Sequence, residues 1–378
     1  MLRTTTFALL LFALTFAGAP AASAAGRGCR GNPGPDCLYT PPQLYPQIIE
    51  TPAAITYTDF AGAPRVVPIE IRRPVGAAGP LPVLILSHGG GARMDPDPTH
   101  VLDELGKAAA HAGYIAISAV HLQVTAQTRT LRCPLFATPV LDPDDCAGLD
   151  MNRLDRPRDI SAIIDELERG AQLPDLAALA DTARIAVAGH SNGSSGALQV
   201  AGLIRAMNDS SHQLFQTRDE RPVAFVALSP MGANEFGIFD TGFQGSIPRA
   251  LHSWVDIERP VLFATGDGDS SCREDRLVCG NGDTPMNRRS AFYRVPAGGN
   301  KYQLYIKDAI TYHTLMGLDM DACPAAETAR CNEIRSWITS SVFAFLDAHV
   351  KGLQGAALWL RSGNIERASG GDVEWSMK

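Results

Sequence analysis

Several features that would mark other classes of protein are missing from this sequence. After the first residues it has no apolar run long enough to cross a bilayer, whose hydrocarbon core is about 30 Å thick. It has no CxxC or HxxxH pair, so the common zinc-binding spacings are absent and we expect no metal. Internal repeats and low-complexity tracts are also absent. The formal net charge of −7 over 378 residues argues against nucleic acid or an anionic membrane as the main partner.

The first 24 residues have the pattern of an export signal. Arg3 supplies a positive start, residues 7–16 form an apolar core, and Ala22-Ser23-Ala24 is a small-x-small cleavage site. The apolar core is too short to span a membrane. We therefore predict a signal peptide cleaved near Ala24, a secreted or periplasmic protein, and no stable membrane insertion.

The eight cysteines all lie beyond that signal and fall into four close pairs along the chain. An even number of cysteines in an exported chain is typical of disulfides. Many connectivities are possible, and only the clustering favours pairing between sequence neighbours. The expected pairs are Cys29–Cys37, Cys133–Cys146, Cys272–Cys279 and Cys323–Cys331.

Short apolar segments alternate with segments of helical periodicity along most of the chain. This pattern predicts an α/β fold with a mostly parallel central sheet, helices on both faces and an antiparallel edge at the N-terminal end. The predicted strands are 55–58, 66–72, 81–86, 115–119, 184–188, 223–228, 261–265 and 302–307, and the predicted helices are 99–111, 157–169, 192–207 and 330–351.

The same pattern divides the chain into regions. We expect a signal peptide (1–24), a Gly/Pro-rich arm (25–52) and one α/β domain (53–378) with insertions at about 121–150 and 230–258. Ligands of such sheets bind at the carboxyl ends of the strands. Both insertions follow strands, so we expect them to lie over that edge and to border a substrate cleft, or else to be surface decoration.

One segment carries a recognisable chemical motif. Gly189-His190-Ser191-Asn192-Gly193 matches G-x-S-x-G and stands between a predicted strand and a predicted helix. In this context the motif predicts a sharp turn that presents the Ser191 hydroxyl in a strained backbone conformation, with glycines where side chains would collide. The helix N-terminus favours the negative charge that develops on a substrate. The motif therefore predicts that Ser191 is a nucleophile.

Four further segments accompany this motif. They are Leu86-Ser87-His88-Gly89-Gly90-Gly91-Ala92-Arg93, Arg156-Pro157-Arg158-Asp159, Ala227-Leu228-Ser229-Pro230 and Leu262-Phe263-Ala264-Thr265-Gly266-Asp267-Gly268-Asp269. Together with the motif they resemble the α/β-hydrolase superfamily, in particular the secreted esterases similar to dienelactone hydrolases and platelet-activating-factor acetylhydrolases. The last segment is also similar to secreted cutinase-like polyesterases. Ser194 departs from the family pattern, which has a second glycine there, and a serine is small enough for the expected close packing.

The resemblance implies an oxyanion hole made by two backbone N–H groups. One comes from the residue after the nucleophile, Asn192, and the other from the loop after the strand at 81–86, where the family places it at Gly90, with Gly91 as the alternative. His88 lies in the same loop, and we expect it to brace the loop by hydrogen bonds rather than to act as a base.

The general base must be a histidine that follows the acid in the chain, because the order in this fold is Ser, then Asp or Glu, then His. His252 precedes the predicted acid strand, and His349 lies within the last predicted helix. His313 directly follows the final predicted strand, at the correct edge of the sheet. The sequence therefore predicts His313 as the base.

Two aspartates compete for the role of the acid. The strand at 261–265 is followed by Gly266-Asp267-Gly268-Asp269. The usual family spacing places the acid three residues after the glycine, which favours Asp269 and leaves Asp267 to brace the turn. The acetylhydrolase branch often places its acid after the preceding strand, where this chain has Ser229, which cannot carry the charge. Asp267 remains the alternative acid.

These residues predict a serine hydrolase that cleaves a small-molecule or polymeric ester without a cofactor. Short-chain esters, phospholipid acetyl esters and polyesters are the candidate substrates, and we expect a monomer. A secreted serine peptidase and a non-catalytic binding protein are the alternatives from other classes. The peptidase would typically carry a large gating domain, and the binding protein would be expected to have lost a member of the triad.

Overall fold

A computed structural model describes residues 37–42, 44–59, 62–89, 102–121, 143–206, 214–230, 254–270, 284–298, 300–321 and 323–378. At 143–154, 205–206 and 214–215 it describes the backbone alone. The predicted signal peptide, most of the predicted arm and most of both predicted insertions lie outside the described residues.

The strands and helices alternate through the middle of the chain. The strands are β1 (Ile48–Thr58), β2 (Pro64–Pro74), β3 (Leu81–Ser87), β4 (Ile115–Ala119), β5 (Ala180–His190), β6 (Arg205–Ala206), β7 (Leu214–Phe215), β8 (Pro222–Leu228), β9 (Val261–Gly266), β10 (Lys301–Ile306) and β11 (Val373–Met377). The helices are α1 (Asp103–His111), α2 (Pro143–Arg169), α3 (Pro174–Leu179), α4 (Asn192–Ala201), α5 (Pro285–Arg294), α6 (Thr328–His349), α7 (Gln354–Leu360) and α8 (Asn364–Ala368), with short 3₁₀ turns at Leu315–Gly317 and Ala325–Glu327.

Nine of the described strands form one sheet in the order β1-β2-β4-β3-β5-β8-β9-β10-β11. The six strands from β4 to β10 in this order run parallel, while β1, β2 and β11 pair antiparallel at the two ends. The central strands β3 and β9 are buried along their whole length, as strands covered on both faces must be. The predicted mixed α/β fold with a mostly parallel sheet and an antiparallel N-terminal edge is confirmed.

Two hydrophobic cores lie on opposite faces of this sheet. Along β3, Leu84 and Leu86 pack into a core with α1, α6 and α7, while Val83 and Ile85 pack into a second core with α2, α4 and α5. Successive strand side chains point to opposite faces, so one apolar run supplies both cores. Because the six central strands run parallel, their carboxyl ends all lie at the same edge of the sheet.

The structure corrects several predicted boundaries. β1 begins at Ile48, inside the predicted arm. The sequence did not predict this part of the strand because its mostly exposed side chains show no apolar alternation, and only the pairing with β2 defines it. α2 begins at Pro143, not at Pro157, which lies inside the helix, so residues 143–150 of the first predicted insertion are helical. α4 ends at Ala201 because Gly202 takes a positive φ of 123° and closes the helix.

The described end of the predicted arm is fixed to the C-terminal helices. The Tyr39 hydroxyl donates to Asp347 Oδ2 (2.7 Å), and the Tyr39 N–H donates to Ser340 Oγ (2.6 Å), both on α6. Trp359 of α7 donates through Nε1 to the carbonyl of Cys37 (2.9 Å). Residues 37–42 therefore pack as part of the domain.

Cys323 and Cys331 form the disulfide predicted from their spacing, with an S–S distance of 1.98 Å. Cys37 is also disulfide-bonded. The remaining predicted pairs lie outside the described side chains: Cys29, Cys133, Cys146, Cys272 and Cys279. Among the described helices, none combines the length and the apolar character that a membrane span requires.

Candidate active site

The G-x-S-x-G segment forms the sharp turn that its sequence predicts. Ser191 follows β5 directly, precedes α4 directly, and has φ 54° and ψ −121°. A non-glycine residue in this region is strained, and such strain persists only where the surrounding structure holds it. A Cβ on Gly193 would lie 1.9 Å from the carbonyl oxygen of Ser87, so only glycine fits beside β3. The motif residues are therefore needed by the backbone itself.

Ser194, which departs from the family pattern, fits into the first turn of α4. It is fully buried, and its hydroxyl donates to the carbonyl of Ser191 (2.6 Å). The hydroxyl thus has an acceptor beside the turn. The departure leaves the turn intact.

The structure brings Asp269 and His313 together. Asp269 lies just beyond β9, and His313 lies in the segment after β10, its parallel neighbour. His313 Nδ1 lies 3.0 Å from Asp269 Oδ1, with the aspartate side chain fully buried and the histidine side chain 14% exposed. The imidazole can therefore be oriented by the carboxylate through Nδ1 while the ring remains partly accessible.

Asp267 has a different neighbour. It accepts a short hydrogen bond from the hydroxyl of Tyr305 on β10, and this bond helps to raise the pKa of Tyr305 to about 12, after burial as the largest cause. The described contacts of Asp267 thus tie the turn to the adjacent strand, which agrees with its expected bracing role.

Of the other two candidate bases, the structure describes only His349, and its contacts lie away from this cluster. His349 on α6 lies 3.2 Å through Nε2 from the hydroxyl of Tyr302 and packs against Phe345, and burial lowers the pKa of His349 to about 4. His252 lies outside the described residues.

His190 connects the serine turn to the base. Its Nε2 lies 2.7 Å from the carbonyl oxygen of His313, and the two rings are 4.8 Å apart between centroids. Burial, followed by the neighbouring His313, lowers the pKa of His190 to about 3, so the ring is neutral near pH 7. Its Nε2–H therefore donates to the carbonyl. This bond holds the backbone of His313 beside the residue that precedes Ser191.

The carboxylate of Asp269 accepts further hydrogen bonds. Ser229 Oγ donates to Oδ1 (2.7 Å) and Thr265 Oγ1 donates to Oδ2 (2.7 Å), while Arg288 Nε lies 3.6 Å from Oδ1. Burial alone would raise the pKa of Asp269, but the charge of Arg288 and the hydrogen bond with His313 outweigh it, so that the pKa lies below its usual value of 3.8. The acid is therefore ionised at neutral pH.

Of the two expected oxyanion donors, one is described. Asn192 is the first residue of α4, where backbone N–H groups have no partner within the helix. Gly90 and its alternative Gly91 lie outside the described residues.

His88 has the expected bracing contacts. Its Nδ1 lies 2.7 Å from the carbonyl of Gly89, its Nε2 accepts from the N–H of His121 (3.1 Å), and its own carbonyl accepts a short bond from Arg156. Burial, with Arg156 nearby, holds the pKa of His88 well below its usual value. The ring is neutral, and both of its nitrogens have partners.

A hydrogen-bonded chain of serine, histidine and aspartate lies below this loop, and no motif in the sequence predicted it. Ser87 Oγ lies 2.8 Å from His121 Nε2, and His121 Nδ1 lies 2.9 Å from Asp159 Oδ2. Asp159 also accepts a bidentate pair from Arg65 (2.7 Å each) and a bond from Tyr57 (2.9 Å).

Exposure separates this chain from the Ser191 site. Ser87 and Asp159 are 0% exposed and His121 is 1% exposed, whereas Ser191 keeps 7% exposure. A substrate cannot reach a fully buried hydroxyl, so we interpret the buried chain as a brace beneath the loop at 88–89. Ser87 and Asp159 both lie in segments that carried the family resemblance, and nothing else in the sequence indicated this chain.

Within the described residues, Glu50, Glu70 and Asp103 are close enough together to hold a cation. The guanidinium of Arg72 lies among them and pairs with all three, with its side chain 1% exposed. The cation that this cluster binds is therefore the arginine.

Comparison of the chain with protein-family models gave no match, and comparison with curated proteins gave none either. The fold and the site define the class of the molecule: a mixed α/β protein with a strained serine at a strand–helix turn and a buried aspartate–histidine pair at the same edge of the sheet.

Proposed function

We propose that this chain is a secreted serine hydrolase of the α/β-hydrolase type that cleaves carboxylic esters through an acyl-enzyme intermediate. Ser191 is the nucleophile, His313 the general base and Asp269 the acid that orients it. The backbone N–H groups of Asn192 and Gly90 hold the oxyanion.

One observation carries this proposal. The strained turn at Ser191 is joined through the ring of His190 to the backbone of His313, whose Nδ1 faces the buried carboxylate of Asp269. The strained backbone of Ser191, the neutral imidazole of His190 and the ionised carboxylate of Asp269 therefore belong to one connected cluster. The strained backbone costs about 1–3 kcal/mol of folding free energy, and we infer that the three groups together serve to activate the Ser191 hydroxyl.

The reaction follows from the roles of these groups. His313 Nε2 takes the proton of Ser191 as Oγ attacks the ester carbonyl carbon, and the negative charge moves to the carbonyl oxygen. His313 then gives that proton to the leaving alcohol as the carbon–oxygen bond breaks. In the second step His313 takes a proton from water as the water oxygen attacks the acyl carbon. It returns this proton to Ser191 Oγ as the bond between Oγ and that carbon breaks, which releases the carboxylic acid and restores the serine hydroxyl.

The charge of Asp269 supports both steps. Because it is ionised and faces Nδ1, it fixes the tautomer that leaves Nε2 free to accept a proton. It also stabilises the imidazolium that forms in each step. Each oxyanion donor is expected to contribute on the order of 10²–10³ in kcat.

The cysteine pattern and the Cys323–Cys331 disulfide support an extracellular setting. The two predicted insertions follow β4 and β8, and we propose that they supply the residues that select the acyl and alcohol groups. Short-chain esters are the first substrates to test, and phospholipid acetyl esters and polyesters are the further outcomes of the same screen.

The experiment is a turnover screen of the purified protein. It should hydrolyse p-nitrophenyl esters, with a preference that depends on acyl length, and should leave the matched p-nitroanilides largely intact. Faster cleavage of the anilides would favour the peptidase. No turnover of any ester, together with no reaction with a fluorophosphonate, would favour a binding protein and end the hydrolase proposal.

A further inference from the structure

Ser229 lies at the centre of the acid–base pair although the proposed triad does not include it. It follows β8, is fully buried, and has a φ of 48°. Its Oγ lies 2.7 Å from Asp269 Oδ1 and 2.7 Å from His313 Nδ1, while Oδ1 and Nδ1 are 3.0 Å apart. The three atoms form a closed triangle of hydrogen-bond contacts.

The number of protons on the three groups determines which atom donates and which accepts in each contact of the triangle. An ionised carboxylate only accepts, so the single hydroxyl proton of Ser229 goes to Asp269. The lone pairs of the hydroxyl then face His313 Nδ1–H. The imidazole proton is therefore shared between a carboxylate and a hydroxyl oxygen, and both oxygens fix the plane of the ring.

Arg288 holds Ser229 in this position from α5. Its side chain is 2% exposed, and Nη1 donates to the carbonyl of Ser229 (3.0 Å), to its Oγ (3.0 Å) and to the carbonyl of Pro230 (3.4 Å). Bonds to two successive carbonyls hold the backbone at the strained φ. The same guanidinium lies 3.6 Å from the carboxylate of Asp269.

We propose that Arg288 and Ser229 are positioning residues of this acid–base pair: Arg288 orients the Ser229 hydroxyl against His313 and offsets the charge of Asp269, so that the imidazole is held in place for proton transfer. This inference rests on the proposed hydrolase activity. It adds Arg288, which lies in no recognisable motif, and it gives a role to Ser229, for which the sequence suggested none.

The charged and polar groups around His313 and Asp269 determine in which direction the loss of Arg288 should shift the pH dependence of the reaction. The turn at Ser191 contributes the neutral ring of His190, α5 contributes the cation Arg288, and the turn after β9 contributes the anion Asp269. β8 and β9 contribute the hydroxyls of Ser229 and Thr265. Arg288 is the group among these that opposes a positive charge on His313. Without it, the imidazolium is more stable and the base is activated only at higher pH.

The first test compares two neighbouring arginines. Arg288→Met should move the acid limb of the kcat/KM–pH profile upward by about one pH unit or more, because a charge within about 4–6 Å shifts a titration by that amount. Arg289→Met is the matched control, since Arg289 pairs with Glu374 and lies over the ring of Tyr305. It should leave the limb in place. Arg288→Lys keeps the charge and should restore most of the wild-type limb.

The second test separates the hydroxyl from the strained backbone. Ser229→Ala removes the hydroxyl, while Ser229→Gly removes both the hydroxyl and the strain. Both should lower kcat by about 10–10²-fold with KM within about twofold, as expected for a hydrogen bond to a charged group. Thr265→Val removes the bond to the other carboxylate oxygen, away from His313, and should lower kcat less.

The outcomes distinguish this inference from the proposed function. If the wild-type protein turns over esters and Arg288→Met titrates like Arg289→Met, or Ser229→Ala and Ser229→Gly keep the wild-type kcat, the positioning role is overturned and the hydrolase proposal stands. If the wild-type protein neither turns over esters nor reacts with a fluorophosphonate, the hydrolase proposal fails and the inference fails with it. Should Arg288→Met not fold, the Ser229 and Thr265 variants decide the question.

Discussion

His190 donates a hydrogen bond from Nε2 to the backbone carbonyl of His313, across 2.7 Å. The residue before the proposed nucleophile thus holds the backbone of the proposed base, although 123 positions separate them in the chain. The distance between nucleophile and base therefore depends on a side chain that takes no part in the chemistry.

Replacing this bridge should slow the reaction without weakening substrate binding. We expect His190→Ala to lower kcat by about 10–10²-fold with little change in KM, because a misplaced base loses proximity rather than ground-state contacts. Steady-state kinetics measure the split. His349→Ala is a matched control, since His349 is a half-buried, neutral histidine whose described contacts are with Tyr302 and Phe345. Equal kcat values in both variants would contradict the bridging role.

Ser191 of the proposed triad and Ser87 of the buried chain should respond differently to replacement by alanine. Ser191→Ala should abolish ester turnover, while Ser87→Ala should remain active with a loss of stability of about 1–3 kcal/mol, because it leaves the buried His121 without its partner. Turnover and urea denaturation, measured on both variants, check this. An inactive but well-folded Ser87→Ala would reverse the assignment.

The two aspartates after β9 should also differ. Asp269→Asn should lower kcat by roughly 10³–10⁴, since an amide favours the wrong imidazole tautomer. Asp267→Asn should cost at most a few-fold, because the described partner of Asp267 is Tyr305. Kinetics of both variants at one pH are sufficient. If only the Asp267 variant is crippled, the acid is misassigned.

The buried ion pair below the loop should matter for stability. Arg65→Met leaves the fully buried Asp159 without its bidentate partner and should cost about 3–5 kcal/mol of unfolding free energy. Arg169→Ala, which breaks a pair with side chains 71% and 40% exposed, should cost less than about 1 kcal/mol. Urea denaturation compares them. Similar losses would show that the buried chain is not a brace.

Acid should destabilise the fold through its buried histidines. Burial lowers the pKa values of His121, His190 and His349 to about 4, 3 and 4, below the unfolded value of 6.5. The unfolded chain therefore binds more protons below pH 6.5, and stability falls as the pH drops from 6.5 towards 4. Between pH 7.5 and 5.5 the expected loss is about 1 kcal/mol for each histidine.

Urea midpoints at the two pH values test this prediction. His349→Phe should remove one contribution and flatten the dependence. A midpoint that is independent of pH would show that these rings are not held neutral by burial.

The sequence was sufficient to predict those features of the fold and the site that depend on local residue patterns. Continuous apolar runs indicated the parallel strands, and G-x-S-x-G between a strand and a helix indicated the strained turn at Ser191. The order of chain elements then selected His313 over His349. Each of these features follows from neighbouring residues or from the order of elements.

The contacts around the acid could not be predicted in the same way. Ser229, Asp269, Arg288 and His313 come from four separate elements, and an arginine on a polar helix has no pattern that marks it as buried. The edge strand β11 was missed because it is short and half-exposed, and its pairing with β10 defines it. Side-chain networks of this kind depend on the folded topology, which local sequence does not encode.

The most direct test of the account is the site of reaction with a fluorophosphonate probe, identified by peptide mass spectrometry. We expect one adduct, on Ser191, formed by the wild-type protein, strongly slowed in His313→Ala and absent from Ser191→Ala. An adduct on another residue, or labelling that persists in Ser191→Ala, would contradict it.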